Sequence, residues 1–187
     1  MGALQSIAFA VSCAVTIFFT GSASAKSGPA INIRVAPLGL LVDVISTDVN
    51  VAVGEDWSLG PQFSSSHLKV SDYTISGTSF GLRGNYFFGG ASFAEGWYLG
   101  PFASYSNWQV KDESPGVNKE GSASGVTIGA ILGYHWAWEN FNIDFGLGGA
   151  GTSFGTVKVK DNNTGQEENV NVGFIGVTYE FMIGWAF

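Results

Sequence analysis

Two histidines and one cysteine are the only side chains of their kind in 187 residues, so nucleophilic and metal chemistry have few places to sit. His67 follows Ser66, and a Ser–His pair is the sharpest hydrolytic candidate in the chain. Such a pair needs a third group to orient the imidazole. Neither His67 nor His135 has a hydroxyl two residues away along a strand with a carboxylate placed for that task. Two distant histidines without a thiol make no ligand set, and Asp161-Asn162-Asn163 opens like a calcium loop but does not continue with the right spacing. No catalytic residue, metal or cofactor is therefore expected. The remaining chemistry-bearing group is charged: Arg34 and Arg83 against Asp43, Asp144 and Glu180, joined by His135. Inside a closed wall these side chains would either gate a narrow pore or form a paired polar plug that fixes strand register. The plug is the preferred reading, because buried charges have to be paired.

Those residues need elements to hold them, and the composition narrows the choice. Charged residues make up 12% of the chain and aromatic residues 14%, with 27 Gly, whereas charged residues are roughly 25% of an average soluble domain. The length suits one domain. Residues 1–25 read as a cleaved signal peptide: an apolar run from Ile7 to Phe19 leads to Ala23-x-Ala25, leaving Lys26–Phe187 as the mature chain. The run carries no Lys or Arg before it, which is off-pattern, and it contains Cys13, so no disulfide or thiol chemistry is expected beyond it. All 8 basic and 15 acidic residues lie after Ala25, giving a formal charge of −7 and no basic stripe for nucleic acid. Nothing after residue 25 approaches the ~20 apolar residues of a membrane helix. A membrane protein of this kind must then be a closed barrel, since only helices and closed barrels satisfy every backbone group in hydrocarbon.

Period-2 alternation supplies the strands. From Ile175 the odd positions read Ile175, Val177, Tyr179, Phe181, Ile183, Trp185 and Phe187, opposite Gly176, Thr178, Glu180, Met182, Gly184 and Ala186. Val126 to Trp138 alternates in the same way, and after a turn at Glu139-Asn140 the apolar face resumes at Phe141, Ile143, Phe145 and Leu147, in one phase as far as Val157 and Val159. Phe80, Leu82, Tyr86 and Phe88 oppose Gly81, Arg83, Asn85 and Phe87. Trp57-Ser58-Leu59-Gly60-Pro61 is echoed by Trp97-Tyr98-Leu99-Gly100-Pro101, each proline marking a candidate bulge. At the N-terminal end Ile31, Ile33 and Val35 alternate with Asn32 and Arg34. The phase then resumes after Pro37-Leu38-Gly39 at Leu40, Val42 and Val44 around Asp43, turns at Ser46-Thr47-Asp48, and returns through Val49, Val51 and Val53. These segments make eight antiparallel strands. Short acidic connectors at 54–56, 89–96 and 139–140 alternate with longer polar loops at 65–77, 111–123 and 160–169. That asymmetry fits short periplasmic turns and longer extracellular loops.

The face opposite the large apolar one decides between a membrane barrel and a soluble ligand-binding barrel. It is mostly Gly, Ala, Ser and Thr, whereas a water-facing wall would carry Lys, Glu and Asp on most strands. Lipid is therefore expected outside, with Trp57, Trp97, Tyr134, Trp136, Trp138, Tyr179 and Trp185 near strand ends as an interfacial girdle. The final strand Tyr179-x-Phe181-x-Ile183-x-Trp185-x-Phe187 resembles the C-terminal assembly signal of outer-membrane barrels, and the chain is similar to the small OmpA/OmpX-type barrels. That resemblance implies an eight-stranded transmembrane up-and-down β-barrel in the outer membrane, inserted by the barrel-assembly machinery. The expected role is non-enzymatic, structural or surface-interacting through the outer loops, for a monomer in contact with outer-membrane lipids and an unidentified extracellular partner. A deacylase-like lipid-modifying enzyme and a soluble periplasmic barrel are the alternatives.

Overall fold

The computed structural model describes the backbone of residues 28–112, 114, 119–161 and 167–187. The expected signal peptide lies outside the described residues, as do the tips of the loops expected at 111–123 and 160–169. The strands are β1 (Ile31–Val35), β2 (Val44–Ala52), β3 (Trp57–Val70), β4 (Tyr73–Phe87), β5 (Gly96–Asp112), β6 (Lys119–Trp138), β7 (Phe141–Asp161) and β8 (Glu167–Ala186). Each pairs antiparallel with its sequence neighbours, and β1 pairs with β8 to close the barrel. The fold is the expected eight-stranded up-and-down barrel, and it follows from the period-2 pattern. Each strand carries large apolar side chains on one face and small or polar ones on the other, and closure puts the narrow face inside, where space is shortest.

Four features differ from expectation. The first connection is at residues 36–43, not at Ser46-Thr47-Asp48. The chain leaves β1 through Ala36-Pro37, makes a short 3-10 helix at Gly39–Val42, and turns at Asp43 with a left-handed backbone (φ 53°). Ser46, Thr47 and Asp48 lie within β2, where Thr47 pairs with Val35 and Asp48 with Arg34. Second, the expected loop at 65–77 is a ladder: β3 and β4 pair continuously from Trp57–Tyr86 to Val70–Tyr73, around a two-residue turn at Ser71-Asp72. Polar composition marked these residues as a loop, but exposed and half-buried polar residues also occur along a paired hairpin. Third, the prolines make no bulge. Pro61 pairs toward β4 and Pro101 toward β6, while the β2–β3 and β4–β5 ladders skip the prolines and keep register. Each proline thus spends its missing N–H where no ladder bond is made. Register shifts occur instead between Ser122 and Gly125 and between Ser153 and Thr156; the side chains of Val157 and Val159, to which the alternation of β7 was expected to extend, lie outside the described residues.

The barrel has unequal ends. At the end with the termini and the short turns, the β4–β5 connection folds back under the wall. Phe93, buried and held at φ 62°, packs edge-on against Phe87, with Tyr98 beside them. Ser92 ties this connection down, its Oγ donating to the carbonyls of Glu55 and Trp57. The seam is short. Among the described residues β8 pairs with β1 only from Ile183 to Ala186, and the backbone of Phe187 finishes the closure through Ile31.

Candidate functional site: a charge-paired barrel interior

β1 points Asn32 and Arg34 inward because its odd positions carry the outward apolar side chains. The same alternation aims Asp48 and Asn50 from β2, Ser58 from β3, Arg83 and Asn85 from β4, Tyr98 from β5, His135 from β6, Asn142 and Asp144 from β7, and Glu180 from β8. All are buried: Arg34 is 2% exposed, His135 1% and Asp144 0%. All but Asn32 and Asn142 form one connected set. Arg34 donates Nε to Asp48 Oδ1 at 2.8 Å and Nη2 to Asp48 Oδ2 at 2.7 Å. Its Nη1 lies 3.3 Å from Asp144 Oδ2, an ion pair without hydrogen-bond geometry. Asp144 Oδ1 is 2.7 Å from His135 Nδ1, whose ring edge also packs on Phe87, and His135 Nε2 reaches the carbonyl of Phe93 at 3.2 Å.

A second fork faces the first. Arg83 grips both carboxylate oxygens of Glu180, one through Nη2 at 2.7 Å and the other through Nη1, and its Nε donates to Asn85 Oδ1 at 2.8 Å. The Tyr98 hydroxyl donates to the same Glu180, and its ring lies under the Arg83 guanidinium, 5.9 Å from centroid to Cζ. Asn50 and Asn85 join the two forks: Asn50 donates to Asp48 at 2.7 Å, and Asn85 donates to Asn50 at 3.3 Å. Asn32 and Asn142 exchange side-chain hydrogen bonds at 3.0 and 3.3 Å. Two planar guanidiniums, each bidentate on a carboxylate, fix strand register more tightly than a point charge would. Glycine makes the room. A Cβ on Gly100 would lie 2.7 Å from Arg83 Nη2, and one on Gly184 would lie 2.7 Å from Arg34 Cγ.

Of the six interior residues expected from sequence, the structure brings Arg34, Arg83, His135, Asp144 and Glu180 together and leaves Asp43 out. Asp43 is exposed at the C-terminal cap of the 3-10 helix, where its N–H bonds to the Gly39 carbonyl. Asp48 takes the place expected for Asp43, and the signal for it was the phase of Val49, Val51 and Val53, which continues backward to an inward Asp48. Tyr98 was missed although it alternates with the outward Trp97 and Leu99. The charged groups of this layer are ion-paired with one another, and Phe93 lies beneath them.

Outside, Trp57, Trp97, Tyr134, Trp136 and Trp138 gather at the short-turn end, with Trp185. Trp97 and Tyr134 meet edge-to-face at 5.5 Å, and Tyr134 and Trp136 lie 4.9 Å apart. Tyr179 does not belong to this belt: it pairs with Leu147 in mid-strand. Phe181 and Ile183 are half-buried on the same outer wall, and Trp185 and Phe187 are exposed there. His67 is in β3, not in a loop, and its cross-strand partner is Ser76 of β4. His67 Nδ1 is 3.0 Å from Ser76 Oγ on the exposed part of that hairpin.

No curated protein and no solved structure matches the chain. A family model does, over residues 9–178, a span that reaches from before β1 into β8. By that match the chain belongs to the family described as "Protein of unknown function (DUF3575)".

Proposed function

We propose that the protein is an integral outer-membrane β-barrel without enzymatic activity, which acts as a structural or surface-interacting element of the cell envelope in the manner of the OmpA/OmpX-type barrels it resembles. One observation carries this reading: the barrel is inside out relative to a soluble one. Leu82, Leu99, Ile128, Leu132, Phe145 and Leu147 are exposed on its outer wall, while Arg34, Asp48, Arg83, Asp144 and Glu180 are buried within. Water outside would leave that apolar wall unsolvated, and lipid outside makes it the favourable surface. The aromatic cluster at the short-turn end supports an interfacial belt there. The β3–β4, β5–β6 and β7–β8 hairpins continue past the charged layer and would present the surface-exposed part. A signal peptide ending at Ala25, export, and insertion by the barrel-assembly machinery belong to the same proposal.

Heat-modifiability gels on envelope fractions test it. The folded barrel should stay with the outer membrane after carbonate washing and migrate differently before and after boiling. A chain that partitions into the soluble periplasm and does not shift refutes the reading.

A second reading rests on the His67–Ser76 contact, which places a hydroxyl against an imidazole on an outer hairpin. If this pair hydrolyses lipid, Ser76→Ala should restore an acyl chain to the lipid A of the host, read by mass spectrometry; unchanged lipid A removes the hydrolase.

A further inference from the structure

Among the described residues the seam between β8 and β1 is the shortest ladder of the barrel, four pairs against five between β1 and β2 and seven or more between the other neighbours. A membrane-crossing strand needs ~9–11 tilted residues, so on the outer-membrane reading, on which this inference rests, β8 crosses roughly from Val177 to Ala186. β1 covers only its last four paired positions, Ile183 to Ala186. Beyond Val35 the first chain departs into the 3-10 helix, and β8 from Met182 upward pairs only with β7. Side-chain exposure agrees: Tyr179 is 72% exposed, against 55% for Leu147, its cross-strand partner on β7. An uncovered strand edge inside hydrocarbon is costly, so something must sit there.

Behind this gap lies a cavity of about 420 Å³. Its lining changes character along its length. Ser64, Ser79, Ser104 and Thr178 supply hydroxyls, and Asp48, Arg83 and Glu180 form the floor. At the seam side it is bounded by Leu38 and Val42 of the connection and by Tyr179 and Phe181 of β8. These β8 residues belong to the outer wall, so the cavity reaches the lipid side as well as the lumen. The floor has no charge to offer a ligand: Glu180 is taken up by Arg83 and Tyr98, and Asp48 by Arg34 and Asn50. A charged headgroup would enter without a counter-ion, which is unfavourable in a poorly hydrated site. A neutral headgroup rich in hydroxyls would find donors and acceptors on the serine wall. The volume lies within the range of small-molecule sites and has room for a glycerol-sized head together with the first part of its chain.

We propose that the β8–β1 seam is a lateral portal, at which a single-chain amphiphile seats a neutral, hydroxyl-bearing headgroup in the serine-lined cavity and leaves its acyl chain in the bilayer against Leu38, Val42 and Phe181. The headgroup hydroxyls offer hydrogen-bond partners to the backbone groups of the strand edge that β1 leaves open.

The test uses the full mature chain, folded in detergent micelles and checked by the gel shift on boiling. The folded protein is incubated with 1-monooleoylglycerol, or with oleate as the charged arm, then washed, and the retained lipid is counted per barrel by mass spectrometry. Wild type should retain about one monooleoylglycerol and little oleate. Ser104→Phe, which fills the cavity from β5, should lower retention about tenfold while keeping the gel shift. Ser79→Leu does the same from β4 should the first variant fail to fold, and Leu147→Phe on the outer wall should retain lipid as wild type does. Retention that neither cavity variant lowers overturns the portal, as does oleate binding as well as monooleoylglycerol. Cross-linking of two copies through β8 without lipid retention also overturns it, by giving the edge a different cover. A chain that shows no gel shift at all fails earlier and counts against the membrane reading itself.

Discussion

Arg83 has the most to lose from a single change. Its fork is bonded to Glu180 and its Nε to Asn85, and all three side chains are buried. Removing one member of a buried ion pair strands the other charge at a cost of ~3–5 kcal/mol, whereas replacing both with apolar residues of like volume is often neutral. Glu180→Gln should therefore lower unfolding stability in urea, measured in micelles, by roughly that amount. The double substitution Arg83→Met with Glu180→Met should recover most of the loss. Equal losses in the single and double variants would mean that the pair is incidental to the fold. A different residue tests the space around the same fork. Gly100→Val puts a branched side chain where a Cβ alone would lie 2.7 Å from Arg83 Nη2 and 2.9 Å from Asn85 Oδ1. Overpacking of this kind costs about 1–3 kcal/mol, so the unfolding midpoint should fall, and an unchanged midpoint would show that the interior can yield. The members of this network were partly legible from sequence, because a charged residue at an inward phase of an otherwise charge-free strand stands out. Their pairings were not, since Arg83 and Glu180 are 97 positions apart and meet only when the sheet closes.

At the scale of elements, each strand separates two environments, and the outward face carries the membrane reading. Leu132 pairs with Leu147 on that face. Leu132→Arg would place a cation in hydrocarbon at ~2–4 kcal/mol near the midplane. Folding into lipid vesicles should be impaired by that amount. Folding in short-chain detergent, where the wall is less deeply immersed, should suffer less, and equal behaviour in the two media would argue against lipid on this face. The outer hairpins make a separate prediction. β3 and β4 run as a ladder to Val70 and Tyr73, beyond the layer set by Asp48 and Arg83. Joining Ser66 to Gly77, which are cross-strand partners, through a short turn keeps strands long enough to cross; it should leave the gel shift intact and remove any surface interaction that resides in this hairpin. Loss of the folded band instead would make the extension part of the barrel's stability. Strand type and facing were readable here because the side-chain period of 2 admits no helix. Strand ends were not, because polar residues mark exposure to water, which a loop and a solvated hairpin share, as residues 65–77 demonstrate.

On the scale of the whole molecule, closure converts eight half-apolar ribbons into a wall with one apolar outer face and one paired interior, and the short β1 makes its two ladders the shortest of those described. The sequence by itself determined the number of strands, which face of each is apolar, and most of the charged interior set, because these depend on alternation, and alternation is local. It also determined the tight turn at Glu139-Asn140, where two polar residues interrupt a period that resumes at once. Tertiary structure decided where the first connection turns: the left-handed turn after Gly39–Val42 carries Asp43 out of the barrel and leaves Asp48 to face Arg34. It also brought His67 to Ser76, put Phe93 beneath the charged layer, and ended β1 four pairs into its contact with β8. Each of these depends on how far a neighbouring strand extends and where a connection turns, and that is set by contacts between segments that alternation along one segment does not encode.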